Sequence, residues 1–406
     1  MRSKMKVLVM IMVIAVFWLS AVTGCVNDAE QISTTDSASN GQSTISEMDE
    51  KSENTTLSNT ADVPVLNMAW DFDLHGSIML AAAVKGDEFK NSGYYFNELI
   101  NKEQYELYEG DTLIAIVNTI VTKGSSETAV MMGQGQIDMC VNSSTGMMAG
   151  IDQGTNVQML CPIHVDGISL VFPKGTGISG WQEVEAYIKD SEIPVKIGFH
   201  SPTSAPRVLV QKALTDAGLK VSVDPDAQDV DVILVNLNGS KNLMPAFTSS
   251  VVDAWVAPSH YPELAESEGI GEIALKLTDF PPEGQWLDFP CCVFAAREAI
   301  VEKHPDIMKA MVGLLTASAE WCEHNRDEAA PVLGEIIGIS PEVVKQAQIK
   351  FTTTPTKNWM AGEALYLTML NELEIFEGDL KGKTLNDVQD QIFNFSFLAE
   401  KPELED

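Results

Sequence analysis

From residue 64 onward, short apolar segments alternate with stretches of helical pattern, and this alternation constrains the fold more than any other feature. It is typical of βαβ units, in which parallel strands form a central sheet that helices cover. The pattern predicts strands at 65–70, 105–109, 137–142, 157–163, 167–173, 195–200, 230–236, 252–258 and 291–296. It predicts helices at 77–86, 112–122, 125–133, 145–152, 180–189, 206–217 and 261–267, then mainly helix from 299 to 373 with breaks at Pro331, Pro341 and Pro355.

The first 25 residues have the order of a secretory signal. Three basic residues, Arg2, Lys4 and Lys6, precede an apolar run at 7–22 that is shorter than the roughly 20 residues that span a bilayer. The run ends in the letters VTGC, which resemble the lipobox of prokaryotic lipoproteins and predict that residues 1–24 are removed and that Cys25 is lipidated. An uncleaved membrane anchor is the alternative. Both interpretations place the body of the protein outside the cytoplasmic membrane.

Residues 25–63 are rich in Ser, Thr, Asn and acidic residues and contain few large apolar side chains. Such a segment buries too little surface to offset the entropy lost on ordering. The composition therefore predicts a disordered acidic tether between the lipidated Cys25 and the folded body.

Net charge excludes one class of partner. The chain has 58 acidic and 26 basic residues and a formal charge of −32, with no basic stripe of the kind that binds phosphates, so no nucleic-acid partner is expected. Hydrolase, metalloprotease, P-loop and dinucleotide-binding motifs are absent from the sequence, which predicts a protein that is not an enzyme and needs no cofactor.

Five cysteines follow Cys25 without a CxxC pair, and this spacing argues against a disulfide framework. We expect all five to be small buried apolar residues. Two of them are adjacent and would face opposite sides of a sheet if both lay on a strand. They are Cys140, Cys161, Cys291, Cys292 and Cys322.

Two strands in different halves of the chain end in polar residues. The strand at 137–142 leads into Asn142, Ser143 and Ser144, and the strand at 252–258 leads into Ser259 and His260. In open α/β sheets, ligands bind beyond the carboxyl ends of the strands. Two such halves that face each other would form a binding cleft.

The chain resembles ABC-transporter solute-binding lipoproteins of the nitrate, taurine, sulfonate and thiamine-precursor type, which have the type II periplasmic-binding-protein fold. The resemblance rests on the order and spacing of several stretches: GQGQIDMCV (133–141), DGISLVFPKGTGISGWQEVE (166–185), VKIGFHSPTSAPRVLVQKALTDAGL (195–219), VVDAWVAP (251–258) and CVFAAREAIVEKHPDIMKAMVGLL (292–315).

This resemblance implies an α/β fold with two lobes, each with a central mixed sheet, joined by two hinge crossovers near 162–166 and near Pro258. It places the first part of lobe 1 at 64–165, lobe 2 at 166–257, and the return to lobe 1 with C-terminal helices at 258–406. It also implies a monomer that is anchored to the membrane by lipid. Its partners would be a small-molecule solute and the transmembrane subunits of an ABC permease.

Candidate ligand-binding residues come from the loops that follow the predicted strands. Histidines and an aromatic face suit a small polar solute, hydroxyls at helix starts suit an anion or a carbonyl, and an arginine suits a carboxylate or sulfonate. Helix capping and packing within a lobe are the alternative roles. The candidates are Trp70, Asp71, His75, Asn142, Ser143, Ser144, His200, Ser201, Thr203, Ser204, Arg207, Ser259, His260 and Trp286.

The sequence leaves the solute open. The resemblance suggests a sulfonate, a nitrate-like anion, or a pyrimidine or other aromatic compound, whereas the strongly acidic chain favours a neutral or zwitterionic solute. His75, His200 and His260, with Asp71, could instead bind a metal ion or a metal complex. A lipoprotein that binds solute and signals to a membrane sensor is a further alternative.

Overall fold

The computed structural model describes residues 63–71 and 73–399. The expected signal sequence at 1–24, the lipidated Cys25 and the tether up to residue 62 lie outside the described residues. None of the helices within the described ranges combines enough length with enough apolar character to span a bilayer.

The strands in the described residues, in chain order, are β1 (Val65–Ala69), β2 (Tyr94–Ile100), β3 (Gln104–Glu109), β4 (Thr112–Ile120), β5 (Met139–Ser143), β6 (Val157–Pro162), β7 (His164–Asp166), β8 (Ile168–Pro173), β9 (Val195–Phe199), β10 (Val221–Ser222), β11 (Val232–Asn236), β12 (Ala254–Pro258), β13 (Gly271–Lys276), β14 (Cys292–Arg297) and β15 (Ile349–Phe351). Each of the nine predicted strands is confirmed, with its ends displaced by at most two residues.

The helices, also in chain order, are α1 (Ser77–Lys85), α2 (Ser125–Gly133), α3 (Ser144–Asp152), α4 (Trp181–Asp190), α5 (Ala205–Asp216), α6 (Leu243–Thr248), α7 (Tyr261–Ser267), α8 (Glu298–Lys303), α9 (Pro305–His324), α10 (Arg326–Ile337), α11 (Pro341–Gln346), α12 (Lys357–Glu372) and α13 (Leu385–Ile392). The long helical region after residue 299 is confirmed, although β15 interrupts it.

The strands form two large mixed sheets. The first has the order β2-β3-β4-β1-β5-β14-β6 and the second has the order β10-β11-β9-β12-β8-β13, while β7 and β15 form a separate antiparallel pair. We call the part around the first sheet lobe 1 (63–162 and 292–399) and the part around the second sheet lobe 2 (168–276). The expected α/β fold with two central mixed sheets is therefore confirmed.

The chain crosses between the lobes twice. The first crossover, which we take as 163–167, contains β7. The return crossover does not lie near Pro258, because β13 adds to the edge of the second sheet after that point. The return crossover is instead 277–291, so the second sheet extends past residue 257, where we had expected lobe 2 to end.

Two predictions of secondary structure are wrong for identifiable reasons, and some strands were not predicted. Residues 112–120 form a strand instead of a helix, since their β-branched side chains complete a hairpin with β3 across a turn that includes Gly110, at φ 57°. The strands β2 and β13 have no prediction at all. Pro331 does not break a helix but lies within α10, on an exposed face where water can bind the carbonyl it leaves unpaired.

Candidate functional site

The candidate site is a small cavity at the edge where strands of both sheets end. The carboxyl ends of β1 and β5 reach this edge from lobe 1, and those of β9 and β12 reach it from lobe 2. The cavity has a volume of about 30 Å³, roughly the space that one water molecule takes up in the liquid. Its lining comes from both lobes and consists of Asp71, Asp73, His75, Gly76, Val141, Asn142, Ser143, His200, Ser204, Pro206, Pro258, Cys291 and Cys292.

The loop after β1 places two carboxyls and an imidazole against the cavity. Asp73 caps the short helical turn that follows, because its Oδ1 accepts a hydrogen bond from the Gly76 backbone N–H at 3.1 Å. Burial raises the pKa of Asp73 to about 6, and burial together with the Asp73 charge raises the pKa of Asp71. Burial lowers the pKa of His75. These shifts favour the neutral form of each group in the absence of a cation.

The loop after β5 presents an amide and hydroxyls. The Asn142 side-chain N–H donates to the Thr128 hydroxyl at 2.9 Å, and its oxygen accepts from the Ser143 N–H at 2.8 Å. Ser143 Oγ also lies 2.7 Å from Thr145 Oγ1. Ser144 starts α3, and its backbone N–H donates to the Cys291 carbonyl at 2.9 Å. Asn142 and Ser143 line the cavity, while Ser144 lies behind it.

Hydroxyl groups also join the two lobes directly. Ser126 Oγ of lobe 1 lies 3.1 Å from Ser201 Oγ and 2.9 Å from Thr203 Oγ1 of lobe 2. The Thr145 hydroxyl donates to the Thr203 carbonyl at 2.6 Å. We call this set of Ser126, Thr145, Ser201 and Thr203 the hydroxyl latch. Ser201 and Thr203, two of the predicted ligand contacts, therefore contact the other lobe, and Ser204 lines the cavity.

Three candidate residues lie outside the lining of this cavity. Trp70 is fully buried in lobe 1, where its ring lies 5.7 Å from that of Tyr105. Trp286 packs on Phe289 within the return crossover and donates its indole N–H to the Pro281 carbonyl. Arg207 is buried on α5 and is not part of the lining.

The candidates from the end of β12 hold the crossovers in place. The Ser259 backbone N–H donates to the Gly167 carbonyl at 2.8 Å, and its hydroxyl donates to Glu263 at 2.8 Å. His260 stacks on Tyr261 with ring centres 4.5 Å apart. Burial lowers the pKa values of His200 and His260 to about 4. His200 lines the cavity, whereas Ser259 and His260 do not.

Three residues at the site were missed as functional candidates. His164 of the first crossover and the adjacent Cys291 and Cys292 converge on His75, and one nitrogen or sulfur atom from each of the four residues lies within 4.8 Å of the others.

All five cysteines are buried, as predicted. The two adjacent cysteines do not face opposite sides, because Cys291 precedes β14 and is free of the alternation of a strand. The adjacent cysteines at 291 and 292 are the feature of the sequence that could have indicated this cluster.

The metal-binding set considered from the sequence also differs from the observed one. Among the described residues, the group of histidine, cysteine and acidic side chains that could hold an ion contains His75 but not His200, His260 or Asp71. Those three residues come from separate loops, and sequence spacing cannot predict which loops converge.

A buried carboxylic acid, Glu363 of α12, lies behind the site and should make stability depend on pH. Burial raises the pKa of Glu363 to about 8, although the Ser144 hydroxyl opposes this shift. Between pH 4.5 and 8 the folded protein keeps a proton that the unfolded chain has lost, so stability falls as pH rises through this window. We expect Glu363→Gln to raise the free energy of unfolding by about 2–4 kcal/mol at pH 8 and to have little effect at pH 4.5.

Urea unfolding of both proteins at the two pH values would measure this difference, with the exposed Glu320→Gln as the control. An equal effect of Glu363→Gln at both pH values would show that Glu363 is charged in the folded protein.

Comparison with known proteins identifies related sequences and folds. Residues 80–338 match the NMT1-like family model. An uncharacterized protein of Methanocaldococcus jannaschii is 30% identical over 117 residues, which cover 28% of this chain and 81% of that protein.

Solved structures with the same fold include three binding proteins. The periplasmic nitrate-binding protein NrtA from Synechocystis PCC 6803 has a TM-score of 0.64 at 13% identity, over 83% of this chain and 87% of that one. The ligand-binding component of an ABC-type import system from Staphylococcus aureus, with zinc bound, has a TM-score of 0.62 at 13% identity, over 83% and 98%. The alkanesulfonate-binding protein SsuA from Xanthomonas axonopodis pv. citri, bound to MOPS, has a TM-score of 0.58 at 11% identity, over 81% and 98%. The resemblance to solute-binding proteins of this type is confirmed.

Proposed function

The chain belongs to the NMT1-like family, and on this premise we propose that it is an extracytoplasmic solute-binding protein that captures a small solute between its lobes and delivers it to an ABC-type permease. The observation that carries the proposal is the cavity, which is lined by residues of both lobes, while the hydroxyl latch joins the same two lobes. A site assembled from two lobes exists only when they close. Capture then requires that the solute bind the closed form better than the open form.

The lining favours a cation over an anion. It contains Asp71 and Asp73 but no lysine or arginine. A sulfonate or nitrate-like anion would meet both carboxyls and no basic side chain in this lining. The named neighbours bind nitrate, an alkanesulfonate buffer and zinc, so their identities do not select among these classes.

The lipobox-like end of the apolar run at 7–22 supports a lipid anchor at Cys25 and places the protein on the outer face of the cell membrane. The protein acts there as a monomer, since each copy has both lobes of its own cavity. A sensory role would use the same capture step with a membrane sensor in place of the permease.

Solute capture can be tested by combining thermal unfolding with small-angle X-ray scattering of the full chain. The panel contains nitrate, sulfonates, pyrimidines and divalent metals. We expect one class to raise the melting temperature and to shift the lobes toward the closed form, which lowers the radius of gyration. A solute at 100 times its Kd adds about 2.7 kcal/mol to stability. The proposal fails if no class of the panel produces both changes.

The hydroxyl latch gives a second test. Ser126→Ala removes the hydroxyl that faces Ser201 and Thr203 and should shift the equilibrium about fivefold toward the open form, since one hydrogen bond contributes about 1 kcal/mol. Ser201→Ala should have a similar effect. The double variant should be little more open than Ser126→Ala, because the contact between the Ser126 and Ser201 hydroxyls is lost in both single variants. Scattering of the solute-free proteins measures the shift, with Ser191→Ala, whose hydroxyl bonds within lobe 2, as the control. An unchanged radius in both latch variants would contradict this role.

A further inference from the structure

Four side chains with metal-binding atoms meet at the wall of the cavity, beside the crossovers. They are His75 from the loop after β1, His164 from the first crossover, and Cys291 and Cys292 at the start of β14. All four are buried, with exposed fractions of 5%, 0%, 2% and 7% in that order. Three separate segments of the chain therefore deliver a His₂Cys₂ set to one point.

The hydrogen bonding of His75 prepares it to be a ligand. Its Nε2 lies 2.8 Å from the carbonyl oxygen of Gly167, and a carbonyl only accepts, so Nε2 carries the proton. Nδ1 then has a free lone pair, and it faces both sulfur atoms, at 3.3 Å from Cys291 Sγ and 3.6 Å from Cys292 Sγ. A carbonyl that fixes the tautomer in this way is the usual partner of a metal-binding histidine.

The spacing of these atoms fits a tetrahedral ion. With bonds of about 2.3 Å to sulfur and about 2.05 Å to nitrogen, a tetrahedral zinc site separates two sulfurs by about 3.8 Å and a sulfur from a nitrogen by about 3.6 Å. The sulfurs of Cys291 and Cys292 lie 3.7 Å apart. This separation and the two sulfur-to-nitrogen distances therefore approach the edges of one tetrahedron.

Hydrogen bonds within the protein satisfy only part of this cluster. The two thiols can be paired, since Cys292 Sγ lies 3.7 Å from Cys291 Sγ and Cys291 Sγ lies 3.3 Å from His75 Nδ1. Neither ring nitrogen of the fully buried His164 makes a hydrogen bond to any of the described residues. Since buried polar atoms nearly always have partners, an unpartnered imidazole beside two thiols points to a missing ligand.

We propose that His75, His164, Cys291 and Cys292 bind one Zn²⁺-class ion, and that this ion is the solute the protein captures. Two thiolates and two neutral imidazoles neutralise a divalent ion, so the buried site carries no net charge. Thiolate and imidazole ligands in a tetrahedral set select Zn²⁺ over Mg²⁺ or Ca²⁺. The identity of the solute rests on the proposed function, whereas the metal site itself does not.

The position of the site connects binding to closure. His164 lies in the first crossover and the cysteines lie where the return crossover meets β14, so an ion held between them joins the segments about which the lobes must move. The buried ligands become accessible only when the cleft opens. The adjacent cavity is also lined by the carboxyl groups of Asp71 and Asp73.

The site can be tested on the reduced, metal-free full chain by titration with Co²⁺ and Zn²⁺ against a chromophoric chelator. We expect one ion per chain, thiolate-to-cobalt charge-transfer absorption, and visible bands typical of tetrahedral cobalt. X-ray absorption of the zinc form should show two sulfur neighbours at about 2.3 Å. This measurement on the parent protein does not depend on how well any variant folds.

Substitutions then assign the ligands. Cys291→Ser, Cys292→Ser and His164→Gln should each weaken Zn²⁺ binding by about 100-fold or more, because each removes one ligand. Cys322→Ser, at another buried cysteine, and His324→Gln, at an exposed histidine, should leave affinity unchanged. The inference fails if the parent binds neither ion, or if binding survives in the Cys291→Ser/Cys292→Ser double variant.

Scattering of the same samples separates this inference from the proposed function. Zinc should lower the radius of gyration in the parent but not in the cysteine variants. If zinc binds through both sulfurs without closing the lobes, the metal site stands and zinc is not the captured solute. If an organic solute closes the lobes while zinc does not bind, the metal site is wrong and the proposed capture function stands.

Discussion

Gly124→Ala is expected to hold the two lobes apart. Gly124 lies in lobe 1 between β4 and α2, and a Cβ added there would lie 2.9 Å from the Cβ of Ser201 in lobe 2. That distance is too short for two carbon atoms, and crowding of this kind costs about 1–3 kcal/mol. We expect the open-to-closed ratio to rise about 5- to 100-fold, since each 1.4 kcal/mol is a factor of 10. Scattering and solute titration would both report the change.

Gly239→Ala is the control that distinguishes a clash between the lobes from backbone strain. Gly124 has φ 134° and Gly239 has φ 123°, in a region that side chains rarely adopt. A Cβ at Gly239 would meet only Lys123, at 3.9 Å, which is an ordinary contact. Gly239→Ala should therefore lower the melting temperature through strain while leaving the radius of gyration unchanged. If both variants open the lobes equally, strain and not the contact with Ser201 explains the effect.

Asp152→Ala is expected to lower the free energy of unfolding by about 3–5 kcal/mol, the cost of losing one partner of a buried charged network. Asp152 ends α3 and is 3% exposed. Its carboxylate accepts hydrogen bonds from the backbone N–H groups of Glu377 at 2.8 Å, Gly378 at 3.0 Å and Leu380 at 2.9 Å. Alanine would leave these three donors buried without an acceptor, and the turn that contains them would detach from lobe 1. Urea unfolding followed by tryptophan fluorescence would measure the change.

Two further substitutions make the test at Asp152 specific. Asp152→Asn keeps one acceptor oxygen and loses the charge, so it should destabilise the protein less than alanine does. Asp379→Ala removes an exposed carboxylate from the same turn and should change stability by less than about 0.5 kcal/mol. A loss below about 1 kcal/mol for Asp152→Ala would mean that water replaces the carboxylate and that the turn needs no anchor.

Periodicity in the sequence predicted most of the strands that position the site. The strands β1, β5, β9 and β12 are short apolar runs that precede polar residues, and the rule that ligands bind beyond such strand ends led to Asp71, His75, Asn142, Ser143, His200 and Ser204. The strand predictions succeed because the alternation of buried strands with covering helices is a local property of the chain. The hairpin strand β2 and the edge strand β13 escaped because they contain charged residues that weaken the apolar pattern.

The aromatic and basic candidates lie outside the lining of the cavity. Trp70, Trp286 and Arg207 have side chains that suit a ligand, yet each is buried within the protein away from the cavity. A side chain that carries both apolar surface and a polar group can serve either role. Its sequence neighbours do not reveal which surface it will meet, because that depends on elements far away along the chain.

The sequence by itself determined the α/β class and the loops from which the cavity is built, because these follow from hydrophobic spacing over fewer than about 15 residues. The division into two sheets was predicted from the resemblance to solute-binding lipoproteins. Only the tertiary structure decided that Ser201 and Thr203 face Ser126, and that His164 and the two cysteines meet His75. Cys291 is 216 residues from His75 in the chain. Their contact arises from the two crossovers lying side by side, and local pattern carries no information about that arrangement.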